Sequence, residues 1–282
     1  MPARIAPRRS GSTALLLLLW GGAVSSASVV PHGVRASDFW DEVRSPGLAA
    51  QRAHVARGRD ALAQNQAELA LQHADAAIAR RPERADGHVL RGRALGALAR
   101  HGEATAAFEQ ALAHDAHALD ADGDAAAAAQ SALIVDRPDL AIQTMAGSLA
   151  RIRDARARSL ALLILADALQ AQGPGELRRA IAAYREALVD VSHEKQAMLG
   201  LALALHRAGE HDEALALAQR AGVKPDPTWL PRHEHAARMA LWLLAIGDRP
   251  AAEQAWARAA EGGHAWGNHA RSALALTRAG EP

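Results

Sequence analysis

Sliding the chain along itself by 34 residues brings it back onto its own pattern. Gly58 falls on Gly92, Ala70 on Ala104, Ala74 on Phe108 and Ala77 on Ala111, and the same shift relates Arg57 to Arg91 and His54 to His88. A fixed period in this range marks a stacked-repeat architecture, in which one unit cannot bury its apolar face alone and neighbours must cover each other. Few other folds can carry such a repeat.

Each unit has the spacing of two helices. In the second unit the pattern predicts a first helix over 86–100 and a second over 103–113, with Arg100-His101-Gly102 as the turn. Later units carry Ala141-x3-Met145, Ala180-x3-Tyr184-x2-Ala187, Ala214-x3-Ala218-x2-Ala221 and Ala252-x3-Trp256-x2-Ala259. Small side chains at these places let two helix backbones approach closely, and a larger one four residues on fills the gap to the next helix. Composition agrees. Half of the chain is hydrophobic but only 3% is aromatic, so Ala and Leu carry the core, which suits helices better than strands. Extra residues fall in loops at Leu119 to Gly123, Gly173 to Gly175 and Asp226 to Thr228, and each proline after the leader sits in a loop, a terminus or a first helical turn, where proline is tolerated.

The unit resembles the tetratricopeptide repeat (TPR), W-x2-L-G-x2-Y…A-x3-F…P. Here that pattern stands as His88-x2-Arg91-Gly92-x2-Leu95 followed by Ala104-x3-Phe108, and the first unit as His54, Arg57, Gly58 and Ala61, then Ala70, Ala74, Ala77 and Pro82. The Trp, Leu and Tyr of the first-helix signature are replaced. The resemblance implies an all-α, right-handed superhelical solenoid of antiparallel helix pairs. It covers residues 51–263 as about six units, with 264–282 as a capping helix and tail and 28–50 as a linker or N-terminal cap in which Phe39 and Trp40 could dock.

The first 27 residues read as an export signal. Arg4, Arg8 and Arg9 precede an apolar run from Ala14 to Val24, and Ser25 and Ala27 occupy the small-residue places of a cleavage site. A second candidate site ends at Ala36. The run is too short for a bilayer core of about 30 Å, and no later stretch is long and apolar enough to span one. Arg8-Arg9 is followed by Ser10-Gly11-Ser12, which favours general secretion over twin-arginine export. The expectation is a protein of the periplasm or cell exterior. The formal charge is +1 with the signs interspersed, which lacks the footprint of a nucleic-acid binder. There is no cysteine, hence no disulfide, thiol nucleophile or Cys-ligated metal.

Catalytic motifs are missing. There is no phosphate loop and no nucleophile elbow, and in His193-Glu194-Lys195-Gln196-Ala197 an alanine stands where a metalloprotease has its second histidine. His114 and His117 sit three apart at a helix end, His233-Glu234-His235 has a spacing that splits two helical faces, and Asp120-x-Asp122-Gly123-Asp124 has its glycine two places early for a calcium loop. No catalytic residue, metal or cofactor is assigned.

The resemblance also implies a binding face, because first helices of such units line a concave groove that holds a peptide or helix. Carried over unit by unit, the lining is Arg52, Val55 and Arg59, then Val89 and Arg93, then Gln130 and Leu133, Leu163 and Asp167, Leu199 and His206, and Leu241 and Leu244. The N-terminal end is then basic and the C-terminal end apolar. Arg59 and Arg93, one period apart, point to a protein or peptide partner with an acidic segment. Arg59 and Leu90 stand where carboxylate-clamping members of the family have Asn, which argues against that chaperone-type activity. The reading is a non-catalytic interaction scaffold. A metal-binding or enzymatic protein using the His/Asp loops, or a purely structural solenoid that self-associates, are the alternatives.

Overall fold

The computed structural model describes residue 43 and residues 45–121, 123–188, 193–225 and 229–280. The predicted leader 1–27, the second cleavage site, and Phe39 and Trp40 lie outside them. Among the described residues there are thirteen α-helices and no strand, so the all-α class and the helix-pair solenoid hold. The pairs are α1 (Leu48–Ala63) with α2 (Ala67–Arg80), α3 (Ala85–Ala97) with α4 (His101–His114), α5 (Asp124–Ile134) with α6 (Pro138–Leu149), α7 (Ala155–Gln172) with α8 (Leu177–Ala187), α9 (Glu194–Ala208) with α10 (His211–Ala221), and α11 (Arg232–Ala245) with α12 (Arg249–Ala259). A last helix, α13 (His264–Ala279), packs on α12 and α11. None of these helices is long and apolar enough to cross a membrane.

Five of the six pairs turn in the same way. One residue takes a positive φ, namely Asn65, Ala99, Asp136, Gly209 and Gly247. A backbone N–H beyond the turn then donates to a carbonyl five residues back: Gln66 to Ala61, Arg100 to Leu95, Arg137 to Ala132, Glu210 to Leu205 and Asp248 to Leu243, at 2.8–3.0 Å. This is the closure of a Schellman-type helix end, which satisfies carbonyls that the helix leaves free. It corrects one boundary. Leu98 to Arg100 form the turn and His101 and Gly102 already belong to α4, because the closing bond puts the left-handed residue at Ala99 rather than at the nearby glycine. The α7–α8 pair differs. Gly173, at φ 128°, leads into a short 3-10 turn over Pro174–Glu176.

The Ala ladder brings paired helices together. Ala70, Ala104, Ala141, Ala180, Ala214 and Ala252 are all fully buried, and Phe108, Met145, Tyr184 and Trp256, four residues after the last of these in their own units, are buried to 1% or less. Two of these large residues press on a glycine of a neighbouring helix. A Cβ on Gly92 of α3 would lie 2.8 Å from ring carbons of Phe108, and one on Gly200 of α9 would lie 2.3 Å from the Tyr184 ring. Alanine ordinarily stabilises a helix by up to about 1 kcal/mol over glycine. At Gly92 we expect the opposite: Gly92→Ala should lose about 1–3 kcal/mol through overpacking, read as a lowered midpoint in urea.

Successive first helices (α1, α3, α5, α7, α9, α11) contact each other and form the inner face of the stack. In a simple solenoid each unit touches only its neighbours. The C-terminal half departs from this, because side chains of α7 reach those of α11, and side chains of α9 reach those of α13, each two units apart.

Candidate functional site: an open and a filled half of the inner face

Asp167 lies at the centre of the filled half. It sits on α7, has no exposed surface, and accepts hydrogen bonds from three elements. Tyr184 of α8 donates its hydroxyl to Oδ1 at 2.6 Å, the Trp229 indole N–H reaches Oδ2 at 2.8 Å, and the Arg238 guanidinium of α11 closes an ion pair on Oδ1. Arg238 Nη2 also donates to the Tyr184 hydroxyl at 2.8 Å and to Glu234 Oε1 at 3.1 Å, while Gln170 Nε2 donates to the same Glu234 oxygen at 3.0 Å. Arg207 of α9 donates to the backbone carbonyl of Gln170 at 2.7 Å. Gly200 lets Tyr184 pass under α9 into this cluster.

The electrostatics follow from burial. Burial alone would lower the Arg238 pKa, but Asp167, Tyr184 and Glu234 outweigh it and hold the guanidinium charged. Burial pushes the Glu234 carboxyl up, and Asp167 adds to this against the pull of Arg238. Burial likewise raises the Tyr184 hydroxyl, which stays a neutral donor. Such a cluster is costly to break and fixes one geometry.

The open half is different. Between α3 and α5, with Leu62 of α1 at one side and Trp229 as a far wall, lies a cavity of about 490 Å³. Gly92, Gly96, Ala97, Ala127 and Ile134 supply apolar surface, and Arg93, Gln130, Ser131 and His101 supply polar groups. Arg93 donates to Asp124 Oδ1 at 3.1 Å. Asp124 is raised by burial, and both Arg93 and Arg59 oppose that rise by charge. Two guanidinium groups therefore surround one buried acid.

No family model matches the chain, and no curated protein does. Among solved structures, YrrB, a TPR protein with an unusual peptide-binding site, superposes with a TM-score of 0.53 at 14% identity, covering 66% of this chain and 89% of that one. The fold is a tetratricopeptide-repeat solenoid. Pseudomonas aeruginosa pilF gives 0.49 at 15% identity over 80% of this chain and 97% of its own, and a tetratricopeptide repeat protein from Parabacteroides merdae gives 0.47 at 12% over 86% and 96%.

Against the lining inferred from the repeat, the TPR solenoid here shows three outcomes. Arg93 and Gln130 line the cavity, and Arg59 is exposed near Asp124. Arg52 is exposed on α1, away from the cavity lining. Val55, Val89, Asp167 and His206 are corrected: all four are buried, at 6%, 3%, 0% and 2% exposure. Val89 belongs to the core cluster that runs from α3 to α7. Asp167 and His206 are covered by groups from two units further on, so neither presents a surface to a partner. The C-terminal end expected to be an apolar groove is closed by the same residues, with Leu163, Leu199 and Leu241 beneath them. Trp229 could be read from sequence only as an aromatic in a Pro-rich loop. Arg238 carried a better signal, as a lone charge between Ala237 and Met239 in an otherwise apolar stretch. No group of three or more His, Asp or Glu among the described residues is arranged to hold a metal ion. Of the acids of the 120–124 loop, Asp120 pairs with Arg151 and His117, and Asp124 with Arg93.

Proposed function

We propose that this protein is an exported, non-catalytic scaffold that holds a partner protein segment in the N-terminal half of its inner face. The observation that carries this reading is the 490 Å³ cavity edged by Arg93, in the half of the groove that the chain does not fill itself. Its size suits a bound side chain or short segment, and its mixture of apolar walls with a few polar groups is that of a binding site. The peptide-binding site named for YrrB supports the same kind of occupant. Arg59 and Arg93 against the single buried Asp124 leave local positive charge, so the segment carries an acidic residue. The leader-like residues 1–27 support a meeting in the periplasm or outside the cell.

The test is capture from the source organism's envelope fraction with tagged mature protein, beside an Arg59→Glu/Arg93→Glu double variant as control. A partner held by the first and weakened roughly tenfold or more in the second, with affinity falling as salt rises, is the expected result. Equal capture by both proteins would remove the acidic-segment reading. Capture through residues of α9 to α13 alone would remove the N-terminal groove as the site.

A further inference from the structure

The end of the stack holds a second cluster that groove binding does not use. Four rings from four helices meet there: His206 of α9, His211 of α10, Trp256 of α12 and His269 of α13. Ring centroids lie 4.4 Å apart for His206–His211, 5.2 Å for His206–His269, 5.5 Å for His206–Trp256 and 5.7 Å for Trp256–His269. Each histidine has one buried ring nitrogen without a hydrogen-bond partner: Nδ1 of His206, Nδ1 of His211 and Nε2 of His269. One turn earlier on α13, Trp266 lies under the Arg207 guanidinium, 4.2 Å from the ring centroid, and beside His233 of α11 at 5.6 Å. Helix α13 is thus seated through imidazoles and indoles.

We propose that α13 is an acid-released cap, held by the ring cluster of His206, His211 and His269 around Trp256 and freed from the end of the stack when the His206 and His269 imidazoles take up protons. Asp212 and Glu213 of α10, beside His211, are exposed, and the other charged groups that face the cluster cannot neutralise the new charge. From α9 Arg207 is already cationic, and from α11 His233 would charge as well. Glu234 of α11 is engaged by Arg238 and Gln170. From α12, Glu253 is tied to Arg278 of α13, and Arg249 donates to the Gly280 carbonyl. Arg271 of α13 is bound to Asn268 and adds a further positive charge.

The sign follows from burial. It holds His206 down to about 4 and His269 down to about 3, with neighbouring positive charge adding to the second, and it lowers His233 too. A base held below its ordinary value of 6.5 supports the fold fully above that pH. The support drains as pH falls from 6.5 toward the folded values and is fully lost below them. Of the histidines so lowered among the described residues, three lie at this interface, and only His54 and His101 lie elsewhere. Acid therefore acts on α13 before it acts on the rest of the stack.

Hydrogen exchange read by mass spectrometry on the full chain, corrected for intrinsic rates, tests this. Between pH 7 and pH 4.5, protection of residues 264–279 should fall by about a hundredfold or more, while α1 to α8 keep theirs. His206→Phe/His269→Phe, which keeps rings in place without titration, should reduce that fall to within a few-fold. Proton NMR titration of the wild-type imidazoles is the check that needs no variant, and it should place His206 and His269 well below 6.5. Uniform loss of protection along the chain, an unchanged acid response in the double variant, or ordinary titration of both imidazoles would each overturn the proposal.

Discussion

Asp167→Ala should destabilise the protein by about 3–5 kcal/mol, read as a lower urea midpoint. Three donors converge on this carboxylate from α8, the segment before α11, and α11 itself. Removing it strands the Tyr184 hydroxyl, the Trp229 indole N–H and, above all, the Arg238 guanidinium, which is 1% exposed and keeps only Glu234 as a counter-charge. Breaking one side of a buried ion pair costs far more than the pair contributes, because the remaining charge is left without water or partner. The companion experiment separates these effects. Asp167→Ala combined with Arg238→Met removes both charges and should recover more than half of the loss, since apolar replacement of a buried pair is often close to neutral. Trp229 emission should red-shift in both variants as its tie to α7 is lost. A loss under about 1 kcal/mol for the single variant would show that the network does not bind α7 to α11.

That network marks where sequence reading stops. The Ala spacing and the large residue four places on identify Phe108, Tyr184 and Trp256 as fillers, and all are buried to 1% or less. They obey local geometry, a helix pair and its neighbour, which a period reports well. The phase of the repeat also places Asp167 and His206 on the inner face of their helices. What a period does not contain is how tightly the stack winds. Superhelical winding decides whether the inner face meets solvent or the side chains of a unit two steps away, and it is set by small differences in packing summed over several units. In the C-terminal half the winding brings Arg238 onto Asp167 and His269 onto His206, which turns expected groove residues into core. In the N-terminal half it leaves Arg93 and Gln130 lining an open cavity and Arg59 exposed, while Val55 and Val89 of the same face are buried.

The same contrast shapes mechanics. A solenoid whose units touch only their neighbours loses its ends first. Ties that skip a unit join α7, α9, α11 and α13 into one block, so the C-terminal half gains cooperativity while the N-terminal half keeps its inner face open. The block depends on its last large filler. Trp256→Ala should therefore lose about 3–5 kcal/mol, the cost of truncating a large buried aromatic. Its indole has no exposed surface, and its N–H has no partner, so the loss is one of packing and not of a hydrogen bond. The surrounding positions are Ala252, Ala255 and Ala259 on its own helix and the rings of His206 and His269. Alanines cannot extend into the space, and the imidazoles can do so only by leaving their seats. Trp256→Phe should cost less, under about 2 kcal/mol, because a ring still fills most of the site. Chemical denaturation gives the size of the effect, and hydrogen exchange gives its place. If Trp256 is the seat of α13, exchange in residues 264–279 should rise in Trp256→Ala even at neutral pH, while α1 to α6 keep their protection. A cost of only about 1 kcal/mol, with α13 still protected, would mean that the end of the stack closes over the gap and that the cap is held by Trp266 and Arg207 instead.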